Sequence, residues 1–200
     1  MTLNELFKTV YYINLDARVD RKAHIEKQLS DNGISFERLP AIDAKAEMVS
    51  GVAACQMSHK KAIEQSEGNV FIFEDDAVLS KFYQAEISQI LSELPSDWDI
   101  FFLGANHRSK PIPFKGNLHH AKEPYCTHAY GVSEKFKPIL LKWIEQNPNA
   151  IDALYAWLTE SGQCWSYCAW PILAYQMPNY SNIEGREMDY GFMVPDRETA

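Results

Sequence analysis

The sequence is first informative for the features that it lacks. It has no run of about 18 apolar residues, the length that crosses a membrane, and residues 1–15 contain neither a long apolar core nor a small-residue cleavage site. We therefore expect no transmembrane segment and no signal peptide, and peripheral association with a membrane stays open. The net charge is −8 and no Lys/Arg run is present, which argues against nucleic acid as a partner.

Cysteine is also scarce, and its spacing shows no metal-binding pattern. The four cysteines are Cys55, Cys126, Cys164 and Cys168, and no two of them form a CxxC pair. This spacing excludes the usual zinc frameworks and indicates reduced thiols in a cytoplasmic protein. P-loop, GxGxxG, GxSxG and HExxH motifs are absent as well, so four common signatures of nucleotide-binding and hydrolytic sites are missing.

What is present is the pattern of an α/β domain. The 200 residues are 46% hydrophobic and 23% charged, which suits one core and a single domain over residues 1–200. Strands and helices alternate in the first half, which predicts a mainly parallel sheet flanked by helices on both faces. Strands are predicted at 9–15, 34–40, 70–73 and 99–104. Helices are predicted within 16–33, 50–69 and 80–99, and they are ended by Asn32-Gly33, Gly68-Asn69 and Pro95.

The second half gives a less regular prediction. Residues 105–127 carry three prolines and a glycine and are expected to form a loop. A short strand is predicted at 127–133, a helix interrupted near Pro138 at 134–147, a second helix at 150–162, and an aromatic strand at 163–176.

An acidic triplet follows the third predicted strand. In the stretch NVFIFEDDAVL (69–79), four apolar residues are followed directly by Glu74, Asp75 and Asp76. Like charges side by side repel, and burial increases that cost. The ordinary explanation is a turn or a helix cap. The alternative is a Mg²⁺ or Mn²⁺ site, because both ions prefer carboxylate oxygens.

Two arginines near the first long helix suit an anionic group. Arg18 and Arg21 lie where the helix opens, beside its free N–H groups, which is a favourable place for a diphosphate. The alternative is that both pair with Asp16, Asp20 or Glu26 on a solvated surface. In an open α/β sheet ligands bind beyond the carboxyl ends of the strands, so we expect the acids that follow strand ends to gather on one edge.

Seven motifs in order resemble glycosyltransferase family 25, which includes bacterial lipopolysaccharide and lipooligosaccharide glycosyltransferases and the collagen galactosyltransferases. The likeness covers nearly the whole chain, with Ala54 standing where the family often has glycine. The motifs are INLDARVDR (13–21), AID (41–43), CQMSH (55–59), FEDD (73–76), FFLG (101–104), HAYGVS (128–133) and PILAYQMPNYSNI (171–183).

The resemblance implies a GT-A, Rossmann-like fold with a DxD-type metal site. Residues 1–104 would form the half that binds the nucleotide sugar, and residues 105–200 the half that binds the acceptor. Asp76 and Glu74 would hold Mn²⁺ or Mg²⁺. The residues expected at the donor are Asn14, Asp16, Arg18, Arg21, Asp43, Ser58 and Asp75, and those expected at the acceptor are Gln176 and Ser181.

The activity implied is transfer of a hexose, galactose or glucose, from a UDP-sugar to a hydroxyl of a saccharide. The acceptor would be a lipooligosaccharide or a glycoprotein glycan. If the reaction inverts the sugar's configuration, a base must take the acceptor proton. Asp152, at the start of a predicted helix, is the first candidate and His128 the second. Asp152 also has an ordinary explanation as a first-turn acid favoured by the helix dipole.

Two other classes of protein stay open. A metal-dependent phosphoester hydrolase would also place acids at strand ends, but it would usually need more widely spaced ligands and a nucleophile or second metal. A non-catalytic saccharide- or nucleotide-binding protein of the same fold would need no intact acidic triplet. Release of free sugar or phosphate, and metal-dependent binding of UDP, separate these classes from a transferase.

Overall fold

The computed structural model describes residues 1–181, 185–189, 191–195 and 198. Its helices are α1 (Leu3–Leu6), α2 (Val19–Asp31), α3 (Gly51–Gln65), α4 (Tyr83–Glu93), α5 (Lys137–Gln146) and α6 (Ile151–Glu160), and Gly191–Met193 forms a 3-10 turn. Its strands are β1 (Thr9–Asn14), β2 (Glu37–Pro40), β3 (Val70–Glu74), β4 (Ala77–Leu79), β5 (Ile100–His107), β6 (Ile112–Lys115), β7 (Leu118–His120), β8 (Pro124–Val132), β9 (Ser166–Ala169), β10 (Ala174–Gln176), β11 (Asn179–Ser181) and β12 (Arg186–Met188).

A central sheet of eight strands organises the chain. Its order is β2-β1-β3-β8-β5-β9-β7-β6. Strands β8 and β7 run opposite to the other six, as their antiparallel pairings show. The prediction of a mainly parallel α/β sheet is therefore confirmed. Two smaller pairs, β10 with β4 and β11 with β12, lie outside this sheet.

Helices cover both faces of the sheet because the central strands are apolar on both sides. In β3, Phe71 and Phe73 face one core, which α2 and α4 also line. Val70 and Ile72 face the other core, together with residues of α3, α5 and α6. This division follows from the period of two in a strand, which sends successive side chains to opposite faces. None of the described helices is long and apolar enough to cross a membrane.

Local signals explain where the main helices begin and end. The Ser50 hydroxyl accepts a hydrogen bond from the Ala53 N–H at 3.1 Å and caps α3. Helix α2 ends before Gly33, whose φ of +68° is the left-handed conformation that glycine adopts readily. The sequence predicted that Pro138 interrupts α5, and this prediction is wrong. Pro138 lies in the first turn of that helix, where a missing N–H costs no hydrogen bond.

The prediction of a loop over residues 105–127 is wrong. Strand β5 extends to His107, β8 begins at Pro124, and β6 and β7 form an antiparallel pair at the edge of the sheet. All four residues of β6 are exposed, so this strand carries no hydrophobic alternation that would reveal it. The strand predicted over 163–176 is two strands, β9 and β10, and β10 leaves the main sheet to pair with β4.

Candidate functional site

The acidic triplet lies where β3 ends, on the side of the sheet formed by the carboxyl ends of the parallel strands. Glu74 is the last residue of β3, and Asp75 and Asp76 form the turn that leads into β4. Strand β1 ends beside it, since Ile13 is paired with Glu74. Strand β10 pairs with β4, which places Gln176 opposite Ala77. The expected meeting of strand ends at one edge is therefore seen for β1 and β3.

Asp75 and Asp76 are both buried, and one arginine contacts both. Arg21 Nη1 lies 3.0 Å from Asp75 Oδ1 and 3.3 Å from Asp76 Oδ2. Asn14 donates from Nδ2 to Asp75 Oδ2 at 2.7 Å, and Gln176 Nε2 lies 3.5 Å from Asp76 Oδ1. Each aspartate is only 7% exposed, so a single guanidinium faces two carboxylates that are largely removed from water.

The pKa values of these two carboxyls reflect that shortage of positive charge. Burial, with repulsion from Glu74 and Asp75, raises the pKa of Asp76 to about 7, and Arg21 offsets only part of this effect. Burial also raises the pKa of Asp75, against the opposing effects of Arg21 and Asn14. At neutral pH, a nearby cation would therefore stabilise the ionised form of Asp76 more than that of Asp75.

Glu74 is held in a different way. Its Oε1 atom accepts a hydrogen bond from the Thr127 hydroxyl at 2.6 Å and lies 3.3 Å from His59 Nε2. Burial raises the pKa of Glu74, but the contacts with His59 and Thr127 outweigh it and leave the pKa below its ordinary value. His59 Nδ1 lies 2.9 Å from the Tyr130 hydroxyl, which accepts a hydrogen bond from Tyr155 at 3.1 Å. Glu74 is thus fixed as a carboxylate by a buried hydrogen-bonded chain.

A cleft opens in front of the triplet. Its walls are the end of β1, the start of α2, the segment after β2, one side of α3 and the end of β10. Arg18 lies on this cleft but pairs with Asp20, to whose two oxygens it donates at 3.0 and 2.8 Å. Of the sequence-predicted site residues, those that line the cleft are Asn14, Arg18, Arg21, Ser58, Glu74, Asp75, Asp76 and Gln176.

Four other candidates lie outside the lining of the cleft in the described part of the chain. Asp16 is exposed and pairs with Arg38, and Asp43 is exposed and accepts from the Lys45 N–H at 2.8 Å. The remaining two, Asp152 and His128, are the candidate bases.

Asp152 and His128 are both held by backbone groups. One Asp152 oxygen accepts from the Cys126 N–H at 3.3 Å, and the other from the Ala153 N–H at 2.7 Å. His128 is fully buried, its Nε2 lies 3.2 Å from the Ala174 carbonyl oxygen, and burial lowers its pKa. The predicted acceptor residue Ser181 ends β11, and its side chain lies outside the described residues, as does Ile183.

Several residues of the site were not predicted from the sequence. His59 lies in the CQMSH motif, but a histidine on a partly apolar helix reads most simply as a core residue. Thr127 and Arg38 carried no local signal at all. Arg38 Nε donates to Asn14 Oδ1 at 3.1 Å and so orients the amide that holds Asp75. Only the CQMSH motif, through its place in the family pattern, could have pointed to His59.

The donor set at Asp76 suits a hard divalent cation. Gln176 Oε1 is buried and has no hydrogen-bond partner, while the amide nitrogen of the same side chain faces Asp76. Rotating this amide by about 180° would turn its oxygen toward Asp76, and the amide and carboxylate would then provide two oxygen ligands that Mg²⁺ or Mn²⁺ would accept. The residues present therefore fit such an ion, with Asp76 as its expected carboxylate ligand.

The fold belongs to the GT-A type, in which a mainly parallel sheet carries acids beyond a strand end. Over 92% of this chain and 97% of the other, the structure is similar to that of a glycosyltransferase involved in the glycosylation of the major capsid of PBCV-1. That similarity has a TM-score of 0.55 at 13% sequence identity, which is a likeness of fold.

The sequence comparisons point to the same family as the motifs. The model of glycosyltransferase family 25, described as an LPS biosynthesis protein, matches residues 7–52, which include β1, α2 and β2. Procollagen galactosyltransferase 1 of Danio rerio is 23% identical over an alignment of 172 positions, which covers 68% of this chain. Procollagen galactosyltransferase 2 of Mus musculus is 22% identical over 163 positions, which cover 64% of this chain. The predicted resemblance to family 25 is thereby confirmed.

The relatives are much longer than the chain. The matched region spans 28% of the Danio rerio protein and 26% of the Mus musculus protein. The chain therefore corresponds to about a quarter of each of these curated relatives.

Proposed function

We propose that this protein is a glycosyltransferase that moves a hexose, galactose or glucose, from a UDP-sugar to a hydroxyl of a saccharide. The observation that carries the proposal is the buried triplet at the end of β3, which opens on a cleft also lined by Arg18 and Arg21. A diphosphate and a divalent cation together would supply the charges that this cleft needs. The resemblance to family 25 supports the same activity.

The roles of the donor-site residues follow from their contacts. Asp76 and Gln176 would hold Mn²⁺ or Mg²⁺, which when bound stabilises negative charge on the departing UDP. Arg21, which lines the cleft, holds the two aspartates in place and adds positive charge beside the expected diphosphate. Asp75, fixed by Asn14 and Arg21, is directed to hydroxyls of the ribose or the sugar. Glu74, predicted with Asp76 on the metal, is ionised and already paired with His59 and Thr127. We therefore propose Gln176, predicted at the acceptor, as the second metal ligand in its place.

The acceptor's proton needs a base if the configuration inverts. Asp152 stays our first candidate, and His128 the second. Burial and nearby charges, among them that of Asp152, raise the pKa of Cys55, which lines the cleft, and of Cys126; this nearness to the cleft supports Asp152. His128 is a weaker candidate because it is fully buried. Both assignments are proposals, as is the division of the chain into a donor half and an acceptor half.

The natural acceptor would be a lipooligosaccharide or a glycoprotein glycan, as the family implies. A location in the cytoplasm remains a prediction from the cysteine pattern.

The proposal is tested by incubating the purified protein with a panel of UDP-sugars and Mn²⁺, with and without saccharide acceptors. We expect metal-dependent turnover of one UDP-hexose, and loss of that turnover in Asp76→Ala. The matched control is Asp97→Ala, because Asp97 is exposed and precedes β5, at the opposite edge of the sheet. The control should keep the parent rate.

Three results would contradict the proposal. Release of phosphate from simple phosphoesters without sugar transfer would favour the phosphoester hydrolase. Metal-dependent binding of UDP in calorimetry without any turnover would favour a non-catalytic binding protein. Turnover that Asp76→Ala retains in the absence of metal would remove the metal from the mechanism.

A further inference from the structure

Three side chains of different chemistry converge beside the triplet on the cleft wall. Cys55 and His59 are one turn apart on α3, so they face the same side of that helix, and Glu74 approaches them from the end of β3. The Cys55 thiol sulfur, a His59 ring nitrogen and a Glu74 carboxylate oxygen all lie within 4.8 Å of one another. All three residues line the cleft, so a fourth ligand could come from solvent.

The distances suit a tetrahedral ion. Bonds of about 2.0–2.2 Å from zinc to nitrogen and oxygen place two tetrahedral ligand atoms roughly 3.4 Å apart. His59 Nε2 and Glu74 Oε1 are 3.3 Å apart, so an ion can replace the shared proton without moving either side chain. A sulfur ligand would lie roughly 3.6 Å from the other two atoms, given a bond of about 2.3 Å. Because the thiol sulfur lies within 4.8 Å of both other atoms, it needs to approach them by roughly 1 Å.

The partners behind these ligands are also in place. The Tyr130 hydroxyl lies 2.9 Å from His59 Nδ1, and the Thr127 hydroxyl donates to Glu74 Oε1 at 2.6 Å. Metal-binding histidines generally use their second nitrogen in such a contact, which fixes the ring and its tautomer. His59 is 1% exposed, so its orientation is already set. An ion here would find its imidazole ligand preorganised.

We propose that Cys55, His59 and Glu74 form a second cation site, selective for Zn²⁺ and similar thiophilic ions and distinct from the oxygen site at Asp76. Binding displaces the thiol proton to solvent, and the proton that His59 Nε2 shares with Glu74 moves to His59 Nδ1, which then donates to the Tyr130 hydroxyl. The ion forms bonds to the Cys55 sulfur, His59 Nε2 and the Glu74 carboxylate. One thiolate and one carboxylate then balance the two positive charges. Mg²⁺ and Mn²⁺ prefer oxygen ligands, so they do not compete for this site.

Such an ion would inhibit the enzyme. It would occupy the cleft wall next to the donor site and would replace the hydrogen bond between His59 and Glu74. This inhibitory consequence rests on the proposed function, whereas the binding itself does not. Because the Cys55 thiol must lose its proton to bind the ion, the affinity should increase with pH.

The test uses Co²⁺ as a spectroscopic probe of zinc sites. The reduced protein is titrated with Co²⁺ in buffer that contains excess Mg²⁺, and the near-ultraviolet band of a cobalt–thiolate bond is recorded. We expect one equivalent of Co²⁺ to produce the band and one equivalent of Zn²⁺ to abolish it. Cys55→Ser should lose the band and bind Zn²⁺ at least about 10-fold more weakly, as loss of one ligand predicts.

Cys164→Ser is the matched control, since Cys164 lies near the start of β9 and contacts Ser166. It should keep both the band and the Zn²⁺ affinity. His59→Gln is a second test, and circular dichroism shows whether each variant is folded. A cobalt complex without the thiolate band, or a band that Cys55→Ser retains, would overturn the proposal. Zn²⁺ inhibition of transfer, compared with each variant's own metal-free rate, then tests the consequence separately.

Discussion

The triplet should cost the protein stability when no cation is bound, and Asp76→Asn should recover part of that cost. Asp76 is 7% exposed and its pKa is raised to about 7. A carboxyl whose pKa is higher in the folded protein than in the unfolded chain destabilises the fold as pH rises. The penalty begins near pH 4, where the unfolded chain ionises, and is complete above pH 7.

The size of the effect follows from that interval. Moving the pKa of a carboxyl from 3.8 to about 7 costs about 4 kcal/mol above the higher value, at 1.36 kcal/mol per pH unit. The amide nitrogen of the new Asn must face a donor of either Arg21 or Gln176, and this unsatisfied contact reduces the net gain to about 1–3 kcal/mol. For a chain of this size, that gain raises Tm by at least about 2 °C.

The assay is thermal unfolding of the parent and of Asp76→Asn between pH 4 and pH 8, in buffer with chelator. The difference in Tm should be small at pH 4, grow through pH 5–7 and level off at pH 8. Mn²⁺ at pH 8 should then raise Tm of the parent but not of Asp76→Asn, because the variant has lost its anionic ligand. Asp97→Asn, an exposed acid at the opposite edge of the sheet, should change neither quantity.

Two outcomes would refute this reasoning. If Asp76→Asn is no more stable than the parent at pH 8, the triplet is not electrostatically strained. If it is more stable by the same amount at pH 4 and pH 8, its effect comes from packing and not from charge.

Three further predictions concern residues around the triplet. Arg21→Ala should raise KM for the UDP-sugar and weaken UDP binding in calorimetry with Mn²⁺; unchanged donor binding would make this arginine purely structural. Asp152→Asn should bind UDP and metal normally but transfer sugar at least about 100-fold more slowly; if turnover is retained, His128 is the next candidate. His59→Ala should lower the free energy of unfolding by about 2–4 kcal/mol in urea titrations, because Tyr130 and Glu74 lose a buried partner, whereas truncating the half-buried His24 ring, which contacts one backbone carbonyl, should cost less.

The first half of the fold was predictable because its signals are local. The apolar run of β3, the Gly33 stop of α2 and the cap at Ser50 act within a few residues of themselves. An edge strand such as β6 has no such signal, since its residues are exposed and its pairing partner decides its conformation. Strand β10 could not be predicted locally either, because it lies outside the main sheet only through its pairing with β4.

The same division holds for the candidate site. The sequence by itself determined the triplet, because three acids after a buried strand must lie together wherever that strand ends. It also determined that Arg21 opens the helix that follows β1. Only the tertiary structure decided which partners each of the three acids has, and therefore how their pKa values differ. Thr127 and His59 come to Glu74 from β8 and α3, and Gln176 reaches Asp76 across 100 residues of chain.

These distant partners give three neighbouring carboxyls different properties. Glu74 receives hydrogen bonds that lower its pKa, whereas Asp76 receives little compensation and its pKa rises. Burial and hydrogen bonding are set by residues that no local pattern specifies, because a pKa depends on everything within a few ångströms in space. Sequence therefore fixes where the charges lie along the chain, and packing fixes which of them stay ionised.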